Sequence, residues 1–317
     1  MTHRKRSTPA GQHRAVLLEK VLEVLSPQPG EVVADCTLGW AGHATELLRR
    51  VGPTGQLVGI DFDADNLPRA RERLDALALP FSLHHGNFAG LPSILRRHGI
   101  EGANVIVADL GMSSMQVDDP ERGFSYRRDG PLDMRMDRTR GKTTAQILAV
   151  ISESELTDAL QRFGDEPNAE IIAAAIVHGR KTQPITRTEQ LARIIVESSQ
   201  KKGWRLHPGP RRWELHPAAR TFQALRILVN RELASLTEFL RILPDVLAPE
   251  GRVAIITFHS GEDRLVKAAF RIGLENGVYS MMSREPIRAD FEERTTNPRA
   301  RSAKLRWARR ANVLATH

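Results

Sequence analysis

Several features that would mark a secreted, metal-held or membrane-spanning protein are missing from this sequence. It has a single cysteine, Cys36, in 317 residues. An internal disulfide is therefore impossible, and no Cys/His cluster suggests a structural metal. Long apolar runs are also absent. The longest, Ile171 to Val177, falls far short of the roughly 20 residues a membrane helix needs. The opening residues, Met1-Thr2-His3-Arg4-Lys5-Arg6, do not lead into the apolar stretch of a secretory signal. These absences predict a cytoplasmic protein with no metal and no membrane partner.

Hydrophobic residues make up 41% of the chain and charged residues 26%, a globular composition with enough length for one large domain or two. The charge is unbalanced: 46 Lys and Arg against 38 Asp and Glu leave a net +8. Such a surplus suits a polyanionic partner, or simply a solvated basic surface. Its distribution favours nucleic acid. The segment from Lys201 to Trp213 holds five cations, Trp204 and Trp213, and no acid. The stretch from Arg299 to Arg310 holds six cations, Trp307 and no acid. Cations neutralise phosphates, and aromatic planes stack on unpaired bases.

Leu18, Val21, Leu22 and Leu25 recur at helical spacing and stop before Pro27 and Pro29-Gly30. Short strands then alternate with helices. Val32-Val33-Ala34, Leu57-Val58-Gly59-Ile60, Phe81-Ser82-Leu83 and Val105-Ile106-Val107-Ala108 read as strands. His43 to Val51, and a second stretch with Leu67, Ala70, Leu74 and Leu77 on one face, read as helices. This alternation predicts a parallel sheet covered on both faces. From about Thr143 to Gln200 the pattern is helical, with capping boxes expected at Ser152–Glu155 and Thr186–Glu189. A helix from Leu225 to Leu247 and a strand at Val253-Ala254-Ile255-Ile256 follow. The expected architecture is an α/β sheet domain in two parts, 1–140 and 216–317, interrupted by a helical domain at 141–215.

The turn after the first strand, Asp35-Cys36-Thr37-Leu38-Gly39-Trp40-Ala41-Gly42-His43, brings backbone close to any ligand at a helix N-terminus. It is a partial dinucleotide fingerprint, with Thr37 where the first glycine would stand. Asp61 ends the second strand, where a carboxylate can accept hydrogen bonds from a ribose diol, or cap the following helix. Asp109 ends the fourth strand, at the edge where open α/β sheets bind ligands. It could equally cap a loop.

From Gln116 to Asp137 the chain runs QVDDPERGFSYRRDGPLDMRMD. Further blocks are HPAARTFQALRI from His216, FHSGEDR from Phe258 and NPRARSAKLR from Asn297. Together they closely resemble the bacterial 16S ribosomal RNA cytosine-N4 methyltransferase family (RsmH, formerly MraW), over nearly the whole chain beyond His13. The resemblance implies a class I S-adenosylmethionine-dependent methyltransferase (Rossmann-like) sheet with an inserted all-helical domain. It implies methylation of a cytidine amine in the decoding region, with 16S ribosomal RNA or the small ribosomal subunit as partner. Carried over position by position, it implies cofactor contacts from Ala41, Gly42, His43 and Asp61, with Phe88 against the adenine. Asp109 and Gln116 would complete the site, and Asp109 is the candidate catalytic residue that orients the amine. Three positions depart from the family's usual residues: Ala41 for glycine, Gly261 for leucine, and Met115 for proline. Other readings are a nicotinamide-dependent dehydrogenase, an amine methyltransferase of DNA or another RNA, and a non-catalytic ribosome-assembly factor.

Overall fold

The computed structural model describes residues 15–199 and 216–312. They divide into two compact units, one formed by the chain up to Gly111 and from Leu233 onward, the other by Met112–Glu232.

The first unit is a seven-stranded sheet: β1 (Val32–Asp35), β2 (Gln56–Asp61), β3 (Phe81–His85), β4 (Ala103–Asp109), β5 (Leu247–Thr257), β6 (Tyr279–Met282) and β7 (Lys304–Arg310). Their order is β3-β2-β1-β4-β5-β7-β6, parallel from β3 through β5, with β7 antiparallel to both its neighbours. Side chains alternate across each strand, which explains the two apolar layers. Ala34, Val58, Ile60, Ile106, Ala108, Val253 and Ile255 face one side, against the helices Leu91–Arg97, Glu232–Val246 and Ser260–Glu275. Val33, Leu57, Val105, Val107, Ala254 and Ile256 face the other, against Leu18–Leu25, Gly42–Val51 and Leu67–Asp75. Burial on both faces is why these strands read as near-continuous Val, Ile and Ala. The chain leaves β3 at one edge and re-enters as β4 beside β1, so strand direction of travel reverses between β1 and β4. No helix among the described residues is long and apolar enough to cross a membrane.

The second unit is helical: Thr144–Val150, Glu153–Gly164, Ala169–Thr182, Thr188–Ser198 and Ala218–Asn230 pack around Leu132, Leu156, Leu160, Ile172, Ile176, Leu191 and Leu225. Ser152 caps its helix as expected, accepting the Glu155 N–H while the Glu155 carboxylate accepts that of Ser152. Gly164 lets two helices touch, since a Cβ there would stand 2.7 Å from the Arg220 carbonyl oxygen.

Three sequence expectations are corrected. Thr186 is not a cap. The Gln190 side chain accepts the N–H groups of Thr186 and Arg187, while buried Thr188 donates to the Arg128 carbonyl and accepts from the Gly130 N–H. The stretch from Leu225 to Leu247 is not one helix, because Arg231 adopts a left-handed conformation (φ 52°) that ends Ala218–Asn230 before the next helix begins. The basic stretch 299–310 does not hold its cations free for phosphates throughout. Its second half is β7, in the interior of the sheet. There Lys304 and Arg306 pair with Asp263 at 3.0 and 2.6 Å, Arg309 with Glu250, and Arg310 donates to the Leu247 carbonyl. Trp307 packs against the apolar layer beneath the sheet. Cations spent on partners within the fold are not offered to phosphates. The other basic segment, Lys201 to Trp213, lies outside the described residues.

Candidate active site

Three neighbouring strands end in an acid: β2 in Asp61, β1 in Asp35 and β4 in Asp109. They flank the point where strand order reverses, at the carboxyl edge where open α/β sheets hold ligands. The turn from Cys36 to Ala41 stitches these ends together. Asp35 Oδ1 accepts the Thr37 N–H at 3.1 Å, and Thr37 Oγ1 accepts the Asp109 N–H at 2.5 Å. Asp61 Oδ2 accepts the Gly39 N–H at 2.6 Å, while its Oδ1 accepts from Asp63 N–H (2.8 Å) and Asn66 Nδ2 (3.1 Å). Asp61 therefore organises the loop after β2 as well as the turn.

Burial dominates the electrostatics. It pushes the Asp35 carboxyl up to about 6, with His43 and the Thr37 N–H opposing and the charges of Asp109 and Asp61 adding to the rise. Burial also raises Asp61 against its three donors, and raises Asp109 against the attraction of His43 and Arg299, with Glu262 reinforcing the rise. Burial pushes the Cys36 thiol well up, which leaves it an apolar wall residue rather than a nucleophile. Asp109 Oδ1 is buried without a hydrogen-bond partner. An unpartnered buried acceptor is expensive, and at this position it calls for a donor or a cation from a ligand. Among the described residues no group of three or more potential metal ligands occurs.

Ala41 is fully buried and left-handed (φ 58°, ψ 37°), the conformation glycine adopts freely. Its methyl group costs about 1 kcal/mol there. The helix Gly42–Val51 that follows has no side-chain cap, which leaves the amides of its first turn for a ligand. His43 is buried, its Nε2 2.9 Å from the Val16 carbonyl oxygen, to which it donates. Phe88 follows β3 in a short turn. Its ring meets Phe239 edge to face at 5.0 Å, and Asn87 pins the turn by accepting the Ala89 N–H and donating to Ser235. The Gly86 N–H donates to the Asp61 carbonyl, tying this turn to the end of β2.

Of the residues singled out from sequence, Ala41, Gly42, His43, Asp61, Phe88 and Asp109 thus gather at one edge of the sheet unit. Gln116 belongs to the helical unit. There it closes a capping box with Ser113, its Oε1 accepting the Ser113 N–H at 2.9 Å and its own N–H donating to Ser113 Oγ at 3.2 Å. The sequence reading missed Asp35, Thr37, Glu262 and Arg299. The signal for Asp35 was present, since it closes its strand just as Asp61 and Asp109 close theirs.

The strand order, the glycine turn over an uncapped helix, and acids ending β1, β2 and β4 define a class I S-adenosylmethionine-dependent methyltransferase. The chain belongs to the MraW methylase family, whose profile matches residues 10–311. Ribosomal RNA small subunit methyltransferase H 2 of Alkaliphilus metalliredigens is 44% identical over 313 residues, covering 97% of this chain and 88% of its own. Ribosomal RNA small subunit methyltransferase H of Citrifermentans bemidjiense is 43% identical, covering 93% of this chain and 97% of its own. The protein of the same name from Acidobacterium capsulatum is 41% identical, covering 94% and 98%.

Proposed function

We propose that this chain methylates the N4 amine of a cytidine in the decoding region of 16S ribosomal RNA, using S-adenosylmethionine, in the cytoplasm. The carrying observation is the buried, unpartnered Asp109 carboxylate oxygen at the switch point of a fold whose full-length relatives bear small-subunit ribosomal RNA methyltransferase names. The residues present suit the cofactor: acceptors at Asp61 for a ribose diol, an apolar ring at Phe88 for adenine, and amides from Ala41 to His43 for its polar end. Asp35, Asp61 and Asp109 give the site a negative field suited to a cationic ligand.

Bound there, S-adenosylmethionine supplies a methyl group already activated on a sulfonium. A cytosine amine is a weak nucleophile because its lone pair is delocalised into the ring, so alignment for in-line displacement is the protein's principal contribution. Asp109 accepts a hydrogen bond from the amine through Oδ1, which favours the charge that develops on nitrogen as the new bond forms. Its raised proton affinity suits it to take the proton the amine must lose. A base held in a helix must leave its stack to reach this edge. The Lys201–Trp213 segment carries the cations and tryptophans for holding such RNA.

The test uses purified protein, methyl-labelled S-adenosylmethionine and small subunits from a strain lacking the corresponding gene. Label recovered as N4-methylcytidine in 16S ribosomal RNA is the expected result. Cofactor binding without that label would redirect the proposal to another nucleic acid, and absence of cofactor binding would overturn it. Replacing Arg211 and Arg212 with alanine should weaken RNA binding and flatten its salt dependence.

A further inference from the structure

The proposed cofactor turn is braced by chain far from it in sequence. Residues 15–17 lie against the first turn of the helix Gly42–Val51. A Cβ on Gly42 would stand 3.1 Å from the Cβ of Ala15, so nothing larger than glycine fits without a shift. The Val16 carbonyl accepts from His43 Nε2 at 2.9 Å, fixing the proton on that nitrogen and the orientation of the ring. The His43 ring is in turn felt by both Asp35 and Asp109, lowering the proton affinity of each.

This strap is itself strained. Leu17 is buried and left-handed (φ 54°, ψ 29°), a backbone state that any residue with a Cβ disfavours. Such a state persists only where its surroundings over-determine it. What holds it is Glu293, whose Oε1 accepts the Leu17 N–H at 2.7 Å across 276 residues of chain. Glu293 is placed by its own short helix, Phe291–Thr296, where its N–H donates to Asp290 Oδ1 at 2.8 Å. The same C-terminal stretch carries Arg299, whose charge reaches Asp109.

We infer that Glu293 is a positioning residue for cofactor binding: by holding Leu17 left-handed it keeps the Val16 carbonyl on His43 Nε2 and residues 15–17 against Gly42, and so holds the first turn of the helix Gly42–Val51 in place. The inference rests on the reading of Ala41–His43 as the cofactor turn. Without the carboxylate, Leu17 relaxes toward negative φ, the Val16 carbonyl turns away, and His43 loses the acceptor that orients it.

Titration calorimetry with S-adenosylmethionine and steady-state methylation would be measured for the full-length protein and for Glu293→Ala, Glu293→Gln and Glu292→Ala. Glu293→Ala should weaken cofactor affinity and raise the cofactor KM about tenfold, the effect of losing one charge-assisted hydrogen bond, while kcat at saturating cofactor stays within about twofold. Glu293→Gln keeps an oxygen for the Leu17 N–H and should restore most of the affinity. Glu292→Ala, at an exposed neighbour, should match the unaltered protein. Tight binding by the unaltered protein with equal binding by Glu293→Ala overturns the inference alone. So does a glutamine variant as weak as the alanine one, or a loss confined to kcat. Absence of cofactor binding by the unaltered protein overturns the functional reading and the inference together.

Discussion

Acids paired with cations and acids at the carboxyl edge of the sheet are treated in opposite ways. In the helical unit Asp133 is gripped by Arg135 through both oxygens, at 2.7 and 3.0 Å, and Asp137 accepts from Thr139 and Arg140. At the carboxyl edge of the sheet, Asp35 and Asp61 accept only from N–H groups of nearby turns and an asparagine, and one oxygen of Asp109 accepts from nothing. The first arrangement stabilises the fold. The second leaves carboxylates with raised proton affinity and spare acceptor capacity, a cost that makes sense where a ligand supplies the missing donors. Strain divides similarly in kind: Ser152 caps its helix with an ideal side chain, whereas Ala41 caps its own with none and in a conformation better suited to glycine.

Substitutions can break this contrast at its strongest point. Asp109→Asn should lower kcat by about 10²–10³-fold, the usual cost of losing one positioned charge at a reacting centre. It should leave the melting temperature unchanged or higher, because no hydrogen bond to Oδ1 is lost. Asp133→Asn should do the reverse, lowering stability by about 1–3 kcal/mol in chemical denaturation as the Arg135 pair is broken. If both variants lose stability alike, the division between site acids and structural acids is wrong.

Acidification sharpens the comparison next. Asp35 binds its proton more tightly folded (about 6) than in its ordinary state (3.8), so it opposes folding at neutral pH, and that penalty is relieved as pH falls through 6 toward 3.8. The full relief is about 3 kcal/mol. Asp35→Asn should therefore be more stable than the unaltered protein at pH 7.5, with the difference shrinking by pH 4.5. The structural acid Asp263 behaves oppositely. Partial burial works against its charged form, but Arg306 and Lys304 outweigh that and hold its carboxyl below the usual range, so its contribution is present at neutral pH and is lost as pH falls. Parallel melting curves for Asp35→Asn and the unaltered protein at every pH would contradict the assignment.

The smallest effects come from the caps. Ala41→Gly should stabilise the sheet unit by about 1 kcal/mol through relief of the left-handed alanine. Ser152→Ala should cost the helical unit about 1 kcal/mol by removing an ideal cap. Thermal or denaturant unfolding checks both, and a destabilising Ala41→Gly would show that the methyl's packing outweighs its strain.

The strands β1, β2, β4 and the second half of β5 were legible because burial on both faces demands unbroken Val, Ile, Leu and Ala, a signal that stands out in any window. Asp61 and Asp109 were legible because they follow such runs directly. β7 was not. Its alternation is Leu305, Trp307 and Arg309 against Arg306, Ala308 and Arg310, and four cations in seven residues look solvated or nucleic-acid-bound until Asp263 and Glu250 are brought beside them. The break at Arg231 was hidden for a related reason: the leucine spacing continues through it, and only the backbone turns.

The sequence by itself determined the class of fold, the family, and the acids and glycines at the strand ends, because these depend on local periodicity and on residue types at fixed offsets. Only the tertiary structure decided which charges are free to meet a ligand and which are consumed within the fold. It also decided that Ala41 and Leu17 are both held left-handed, and that Glu293 reaches Leu17 across 276 residues of chain. Those outcomes depend on which groups burial brings together across hundreds of residues, and no local pattern encodes that proximity.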